Sequence, residues 1–349
     1  MNFPALRHPI VQAPLAGGPS TPELAAAVSE AGGLGMLAAG YLPAERVAAD
    51  LQQARELTSA ALGVNVFYLT DAAVDAEAVA EYARRIEPTA AEHGVELGSP
   101  RFEDDHFQDK LELLVAERPT VVSFTFGCPS PDVVARLRDV SVGVWVTVTD
   151  VAEAEQAASV GADALVVQGV EAGGHRATFV DRDGVGELGL LPLLRLVARE
   201  TDLPLVGAGG IADGHGVAAV LAAGAVAAQI GSALMRTPEA ATSAPHREAL
   251  ARGSGRTRVT RAFTGRRARG IVNRFMDEHD QAAPAAYPHV NHMTAPLRAA
   301  ARKAGDAEVI NLWAGEAYAL AEETPAGELV ERWSSEARQA LETARGRLG

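Results

Sequence analysis

A Gln, a Glu, a His and an Arg fall within the nine residues Gln168-Gly-Val-Glu-Ala-Gly-Gly-His-Arg176. Imidazole titrates near neutrality without a large perturbation, which makes His175 the candidate acid–base group. The plainer alternative is a loop histidine bonded only to backbone. The flanking glycines argue against it, because they leave room around the ring and let backbone approach a ligand. Arg176 has two open readings, binding an anion or pairing with Glu171. Two Gly-rich turns suggest a second kind of chemistry. They are Gly207-Ala-Gly-Gly-Ile-Ala-Asp213, with Gly209 and Gly210 at its centre, and Gln229-Ile-Gly-Ser-Ala233. Each opens a helical stretch, where free backbone N–H groups bind phosphate. Ala13-Pro-Leu-Ala-Gly-Gly18 offers backbone groups without bulky side chains, so Ala13, Pro14 and Leu15 suit the flat edge of a heterocycle. Asn65 sits within an apolar run, and Gln12 and Gln168 stand at strand ends, where buried amides need partners.

Other polar residues carry weaker signals. Cys128 follows a strand and is placed to line a pocket, but nothing marks it as a nucleophile. His289 and His292 are three apart, without the carboxylate or third histidine that a metal site needs, so no metal is expected. Ser123 and Ser232 lack the setting of a nucleophile elbow. The basic run Arg256–Arg274 reads as a solvated or ion-paired face, with Arg269 and Asn273 within possible reach of a ligand.

The elements that must position these groups follow one recurring pattern. An Ala-rich helical stretch ends in Gly, and a short apolar run follows at once. Leu24–Ala31 with Gly32, Ala152–Val160 with Gly161, and Val217–Ala223 with Gly224 are three copies. Gly just past a helix end adopts the left-handed conformation that stops the helix. Eight apolar runs, beginning near residues 9, 34, 61, 120, 143, 164, 203 and 226, alternate with helical segments. That alternation predicts a TIM (β/α)8 barrel over residues 1–232, with a doubly wound open sheet as the alternative. Residues 68–118 are expected to form a mostly helical insertion. Residues 233–349 are expected to form a mostly helical segment packing at the barrel mouth. In barrels of this kind the turns after the seventh and eighth strands form a phosphate site.

Composition limits the partners. With 349 residues, 48% of them hydrophobic and 22% charged, the chain has an ordinary globular balance. A net charge of −14 argues against nucleic acid or an anionic membrane surface. One cysteine excludes an intrachain disulfide and fits a reducing cytoplasm. Met1-Asn-Phe-Pro-Ala-Leu-Arg lacks a signal-peptide pattern. No apolar run is long enough to span a bilayer.

Together these residues resemble the nitronate monooxygenase family, formerly called 2-nitropropane dioxygenases. The resemblance runs from Pro9-Ile-Val-Gln-Ala-Pro14 through Gly63-Val-Asn-Val-Phe67 and Val121-Val-Ser-Phe-Thr-Phe-Gly127. It continues through Gln168–Arg176, Gly207–Asp213, Gln229–Ser232 and Thr264-Gly-Arg-Arg-Ala-Arg-Gly270 with Asn273, and ends at Leu312-Trp-Ala-Gly315. It implies an FMN-containing barrel that oxidises alkyl nitronates, such as propionate 3-nitronate, with O2 through electron transfer from nitronate to flavin. It places the FMN phosphate on Gly210, Gln229, Ile230, Gly231 and Ser232. Asn65, Gln168 and Gly173 would contact the flavin, and His175 would stand beside a nitronate or nitroalkane. The chain departs from the family at Leu15, Ala177, Ser232 and Glu316, where Met, Gly, Thr and Gln are common. A carboxylate at 316, if it faced the pocket, would oppose an anionic substrate.

Two other activities suit the same scaffold, since fold does not fix function. One is an NAD(P)H-dependent FMN enoyl-thioester reductase. The other is a phosphosugar-type barrel enzyme, although no Lys at a strand end supplies a Schiff-base route.

Overall fold

Residues 3–348 are described by the computed structural model, so Met1, Asn2 and Gly349, the ends of the two expected segments, lie outside the described residues. The barrel strands are β1 (Ile10–Gln12), β2 (Gly35–Ala38), β3 (Leu62–Phe67), β4 (Val121–Thr125), β5 (Gly143–Val148) and β6 (Ala164–Gln168). After the short β7 (Gly174–His175) come the last two, β8 (Leu205–Ala208) and β9 (Ala227–Ile230). Every barrel pair is parallel, in the order β1-β9-β8-β6-β5-β4-β3-β2. Leu34, just before β2, closes the ring onto β1: its N–H donates to Ile10 O at 3.0 Å, and Gln12 N–H donates to Leu34 O at 2.9 Å. The chain is therefore a TIM barrel rather than an open sheet. The seventh barrel strand starts at Leu205 instead of near 203, because Pro204 has no N–H to give a ladder.

Local chemistry sets the helix limits. Thr21, Asp150 and Asp213 cap the helices Pro22–Glu30, Val151–Ser159 and Gly214–Ala222 by accepting from Leu24, Glu153 and Gly216 N–H. Gly32, Gly161 and Gly224 then take φ of +92°, +90° and +106°, as the recurring pattern requires. Inward-facing Val11, Met36, Val121, Val166 and Val206 fill the barrel, and Phe3 stacks on Trp145 at 5.1 Å to plug its base.

The segments outside the barrel divide differently from the expectation. Within 68–118, Phe107–Glu117 packs against β3 and the helix Ala44–Leu57 as an ordinary barrel helix. Ala76–Glu92 instead shares a core with the C-terminal segment, through Val79, Tyr82 and Ile86. That segment is not helical throughout. β10 (Thr257–Thr260) and β11 (Ala268–Ile271) form an antiparallel sheet with β7, pairing Ala268 with His175. The final helix, Ala326–Arg347, lies on the barrel flank against Pro22–Glu30 and Gly214–Ala222, not at the mouth.

Candidate active site

The C-terminal ends of the barrel strands open into a cavity of about 690 Å³. Ala13, Pro14 and Leu15 reach it from β1, Asn65 from β3, and Gln168, Gly173 and His175 from the β6 end. Gly209 and Gly210 reach it from β8, and Gln229, Gly231 and Ser232 from β9. Ile230 does not. Side chains alternate along a strand, so Gln229 faces in and Ile230 faces out, fully buried in the layer between strands and helices. Its carbonyl accepts from Ala13 N–H at 2.8 Å.

The two glycine turns present free backbone N–H groups that could hold an anion. The N–H groups of Gly210, Gly231 and Ser232 meet no acceptor among the described residues. Gly209 and Gly210 hold φ of +117° and +67°, which turns the backbone toward the cavity and suits only glycine without strain. A Cβ at Gly173 would overlap the Gly315 amide, so Gly-Gly-His lies flush against the Trp313–Gly315 strip. Asn65 donates to Ser123 Oγ and Thr125 Oγ1, both at 2.9 Å, while its Oδ1 receives no proton from the described residues. Orphan N–H groups at one end and a free amide acceptor in the middle fit a phosphate-bearing heterocycle such as FMN.

Arg176 settles its own two readings by taking neither. Its guanidinium is buried and donates to Gly169 O, Gly186 O and both oxygens of Gln168, with Gln168 Oε1 at 2.7 Å. Gln168 Oε1 also accepts from Ala177 N–H at 3.0 Å, and its Nε2 donates to His175 O at 3.1 Å. Arg176 therefore fixes the Gln168 amide. Glu171 instead accepts from Leu190 N–H and holds the start of the helix Leu190–Glu200.

His175 points into the cavity from an aromatic wall, with Phe126, Tyr287 and Trp313 each at 5.6 Å between ring centroids. Its Nε2 lies 2.9 Å from Thr264 Oγ1. Burial lowers its pKa to about 3, with the Arg266 and Arg298 guanidinium groups adding to the shift and Asp181 opposing it. Arg266 lies over the Phe126 ring at 4.2 Å, bonded to neutral carbonyls of Arg176 and Thr178. The imidazole is therefore neutral at neutral pH in the absence of a ligand.

Several sites that sequence reasoning weighed lie elsewhere. Cys128 is not in the cavity wall, and burial pushes its thiol up to about 11. Arg269 pairs with Glu316 at 3.1 Å, and Asn273 caps the helix Arg274–His279 while donating to Ala307 O and Ile310 O. The basic run is ion-paired but largely buried, with Arg261 and Arg267 on Asp181. Gln12 stitches β1 to β2 through Met36. His292 approaches Glu103 at 3.4 Å, and no group of three or more His, Cys, Asp or Glu among the described residues is arranged for a metal. Sequence reasoning missed Tyr41, Thr264, Tyr287, Arg298 and Arg302, which all line the cavity. The last two sit four apart on the helix His289–Ala304, a spacing that puts them on one face.

Comparison with known proteins is decisive on family. The family model described as nitronate monooxygenase matches residues 4–336. This chain belongs to that family. Nitronate monooxygenase of Pseudomonas aeruginosa is 40% identical over 344 residues, covering 95% of this chain and 97% of that protein. Among solved structures, a nitroalkane oxidase from Streptomyces ansochromogenes is 48% identical with a TM-score of 0.94, covering 99% of both chains. FabK from Thermotoga maritima is 26% identical with a TM-score of 0.76, covering 98% of this chain and 96% of its own. The protein is an oxidoreductase of the nitronate monooxygenase family.

Proposed function

We propose that the protein binds FMN and oxidises alkyl nitronates, propionate 3-nitronate among them, with O2. The observation that carries this reading is a single cavity holding both an anion cradle of orphan N–H groups and a neutral, wall-mounted histidine. Gly210, Gly231 and Ser232 would hold the phosphate, with Gln229 beside them. Asn65, Gln168 and Gly173 would meet the ring system, and Ala13, Pro14, Leu15 and Gly209 would flank it. When bound, the flavin supplies the redox chemistry that takes electrons from the substrate and passes them to O2.

The cavity's two carboxylates, Glu103 and Asp105, are paired with His292 and Lys110, while two of its cations are free to favour negative charge. Arg298 lines the cavity and is bonded only to neutral groups, with Asn291 Oδ1 at 2.8 Å and Thr294 Oγ1 at 3.0 Å. Arg302 also lines it, and its guanidinium has no hydrogen bond or ion pair to a described residue. Two cations without a carboxylate partner favour an anionic ligand, because a charge removed from water needs compensation. An anion beside His175 would also reverse the arginines' effect and favour a proton on the ring. An imidazole this weakly basic takes a carbon-bound proton only at a cost, which favours a substrate that arrives already ionised. Glu316 does not oppose the substrate, since it lies outside the cavity wall on Arg269. No helix among the described residues is long and apolar enough to cross a membrane, and with one cysteine a cytoplasmic setting is our reading.

The test is oxygen consumption by purified, flavin-loaded protein given propionate 3-nitronate without NAD(P)H. Turnover is expected in the wild type. His175→Gln and His175→Asn should lower turnover of the neutral nitroalkane by about 10²–10⁴ at unchanged flavin content. Colourless protein that takes up no added FMN would overturn the cofactor. Anaerobic bleaching of the flavin by NADH, without nitronate turnover, would move the protein to the reductase alternative.

A further inference from the structure

We propose that Thr264 is a positioning residue that holds His175 with its proton on Nε2, so that the bare Nδ1 faces the cavity as the proton-accepting atom. The argument is a hydrogen-bond account around one hydroxyl. Thr264 Oγ1 lies 2.9 Å from His175 Nε2, 3.2 Å from Arg266 O and 3.4 Å from Arg266 N. A hydroxyl has one proton to give and two lone pairs to offer. Arg266 O can only accept, and no other donor among the described residues reaches it. If Thr264 gave its proton to His175, that buried carbonyl would be left without a donor, 3.2 Å from a second oxygen lone pair. If Thr264 gives its proton to Arg266 O, all three contacts are satisfied at once. His175 Nε2–H then donates to Thr264, and Arg266 N–H completes the hydroxyl's acceptor set.

That choice fixes the other ring nitrogen. Nδ1 has no hydrogen-bond partner among the described residues, yet it is not sealed from the cavity. Backbone holds the arrangement rigid. His175 pairs with Ala268 in the small sheet, and Thr264 Oγ1 and Arg266 lie in the turn that leads into β11. The charged groups that act on the ring are Arg266, Arg298 and Asp181, and the Tyr287 phenol faces it from the C-terminal segment.

In the reaction of a neutral nitroalkane, Nδ1 takes the proton from the carbon bearing the nitro group. The C–H electron pair becomes the C=N bond of the nitronate, the negative charge moves to the nitro oxygens, and the imidazolium remains bonded to Thr264 through Nε2–H. A nitronate reaches the same ion pair when Nδ1 takes a proton from solvent.

The kinetic part of this inference rests on the nitronate reading above; the tautomer does not. Long-range ¹⁵N–¹H NMR of histidine-labelled, flavin-loaded protein reads the tautomer directly, with His175 assigned by its absence in His175→Gln. A protonated Nε2 and bare Nδ1 are expected. A protonated Nδ1 with bare Nε2 in the wild type would overturn the proposal, whether or not any nitro compound is turned over. Thr264→Val should mix the tautomers and lower kcat/KM for a neutral nitroalkane by about tenfold or more, part of what a placed base contributes. Turnover of the preformed nitronate should change less than about threefold, and Thr264→Ser should restore both. An unchanged ¹⁵N spectrum and unchanged substrate ratio in folded, flavin-replete Thr264→Val would also refute it.

Discussion

On the proposed reading, two parts of the cavity recognise charge by different means. At the β8–β9 end the groups on offer are backbone N–H of Gly210, Gly231 and Ser232, held by turn geometry with almost no side chain involved. Elsewhere on the cavity wall the groups are side chains, His175, Arg298 and Arg302, carried by a short sheet and a helix outside the barrel. A backbone cradle is as rigid as the barrel and tolerates little change at its glycines. A side-chain wall can be altered one residue at a time while the fold and the cofactor end stay intact. Cofactor retention and substrate affinity are therefore expected to separate by mutation.

Of the two regions, the cradle should show the larger binding effect. Gly210 has φ +67°, and a Cβ there would lie 3.1 Å from Glu171 Cβ. Gly210→Val places a β-branched residue in the left-handed region, at a cost of about 1–2 kcal/mol, and swings the N–H away from the anion. Flavin affinity should fall about 10- to 100-fold, measured by fluorescence titration of apoprotein with FMN, while the His175 ¹⁵N signals keep their tautomer. Undiminished flavin affinity would break the assignment of this end to a phosphate.

A smaller and opposite effect is expected at the wall. Burial lowers the Arg298 pKa only to about 10, so it remains a cation at neutral pH. Arg298→Met should raise KM for nitronates about tenfold, roughly 1.4 kcal/mol, with flavin content unchanged. If flavin were lost and KM kept, Arg298 would belong to the cofactor end and the contrast would fail.

The same division explains what could be read from the sequence. The barrel was legible because its helix stops and strand starts are local: a capping side chain, a glycine at positive φ, an apolar run. The glycine turns were legible for the same reason, and Gly209, Gly210, Gln229, Gly231 and Ser232 of them line the cavity. The outward turn of the Ile230 side chain was not legible, because one-residue alternation decides which side chain faces in. The wall was largely illegible. Its residues meet through contacts of long sequence separation, such as His175 with Thr264 and Tyr41 with Tyr287. Nor does the composition of the basic run reveal that Arg266 is buried over an aromatic ring while Arg269 is spent on Glu316.

Glu316 provides the smallest effect and the most selective check on the wall. From the sequence, a carboxylate beside Trp313 would repel an anionic substrate and should be worth removing. In the structure Glu316 is half-exposed and lies 3.1 Å from Arg269, and its N–H is bonded to Glu171 O. Arg269 is additionally held by Val170 O at 2.9 Å and Thr257 Oγ1 at 3.1 Å, so losing one exposed partner does not free it to enter the cavity. Glu316→Gln should therefore change KM for nitronates by less than about twofold and stability by no more than about 1 kcal/mol, the range of an exposed ion pair. Steady-state kinetics beside a urea melt separate the two quantities. A several-fold fall in KM would mean that the carboxylate field reaches the substrate, and the negative-charge selectivity assigned to Arg298 and Arg302 would then have to be shared with position 316.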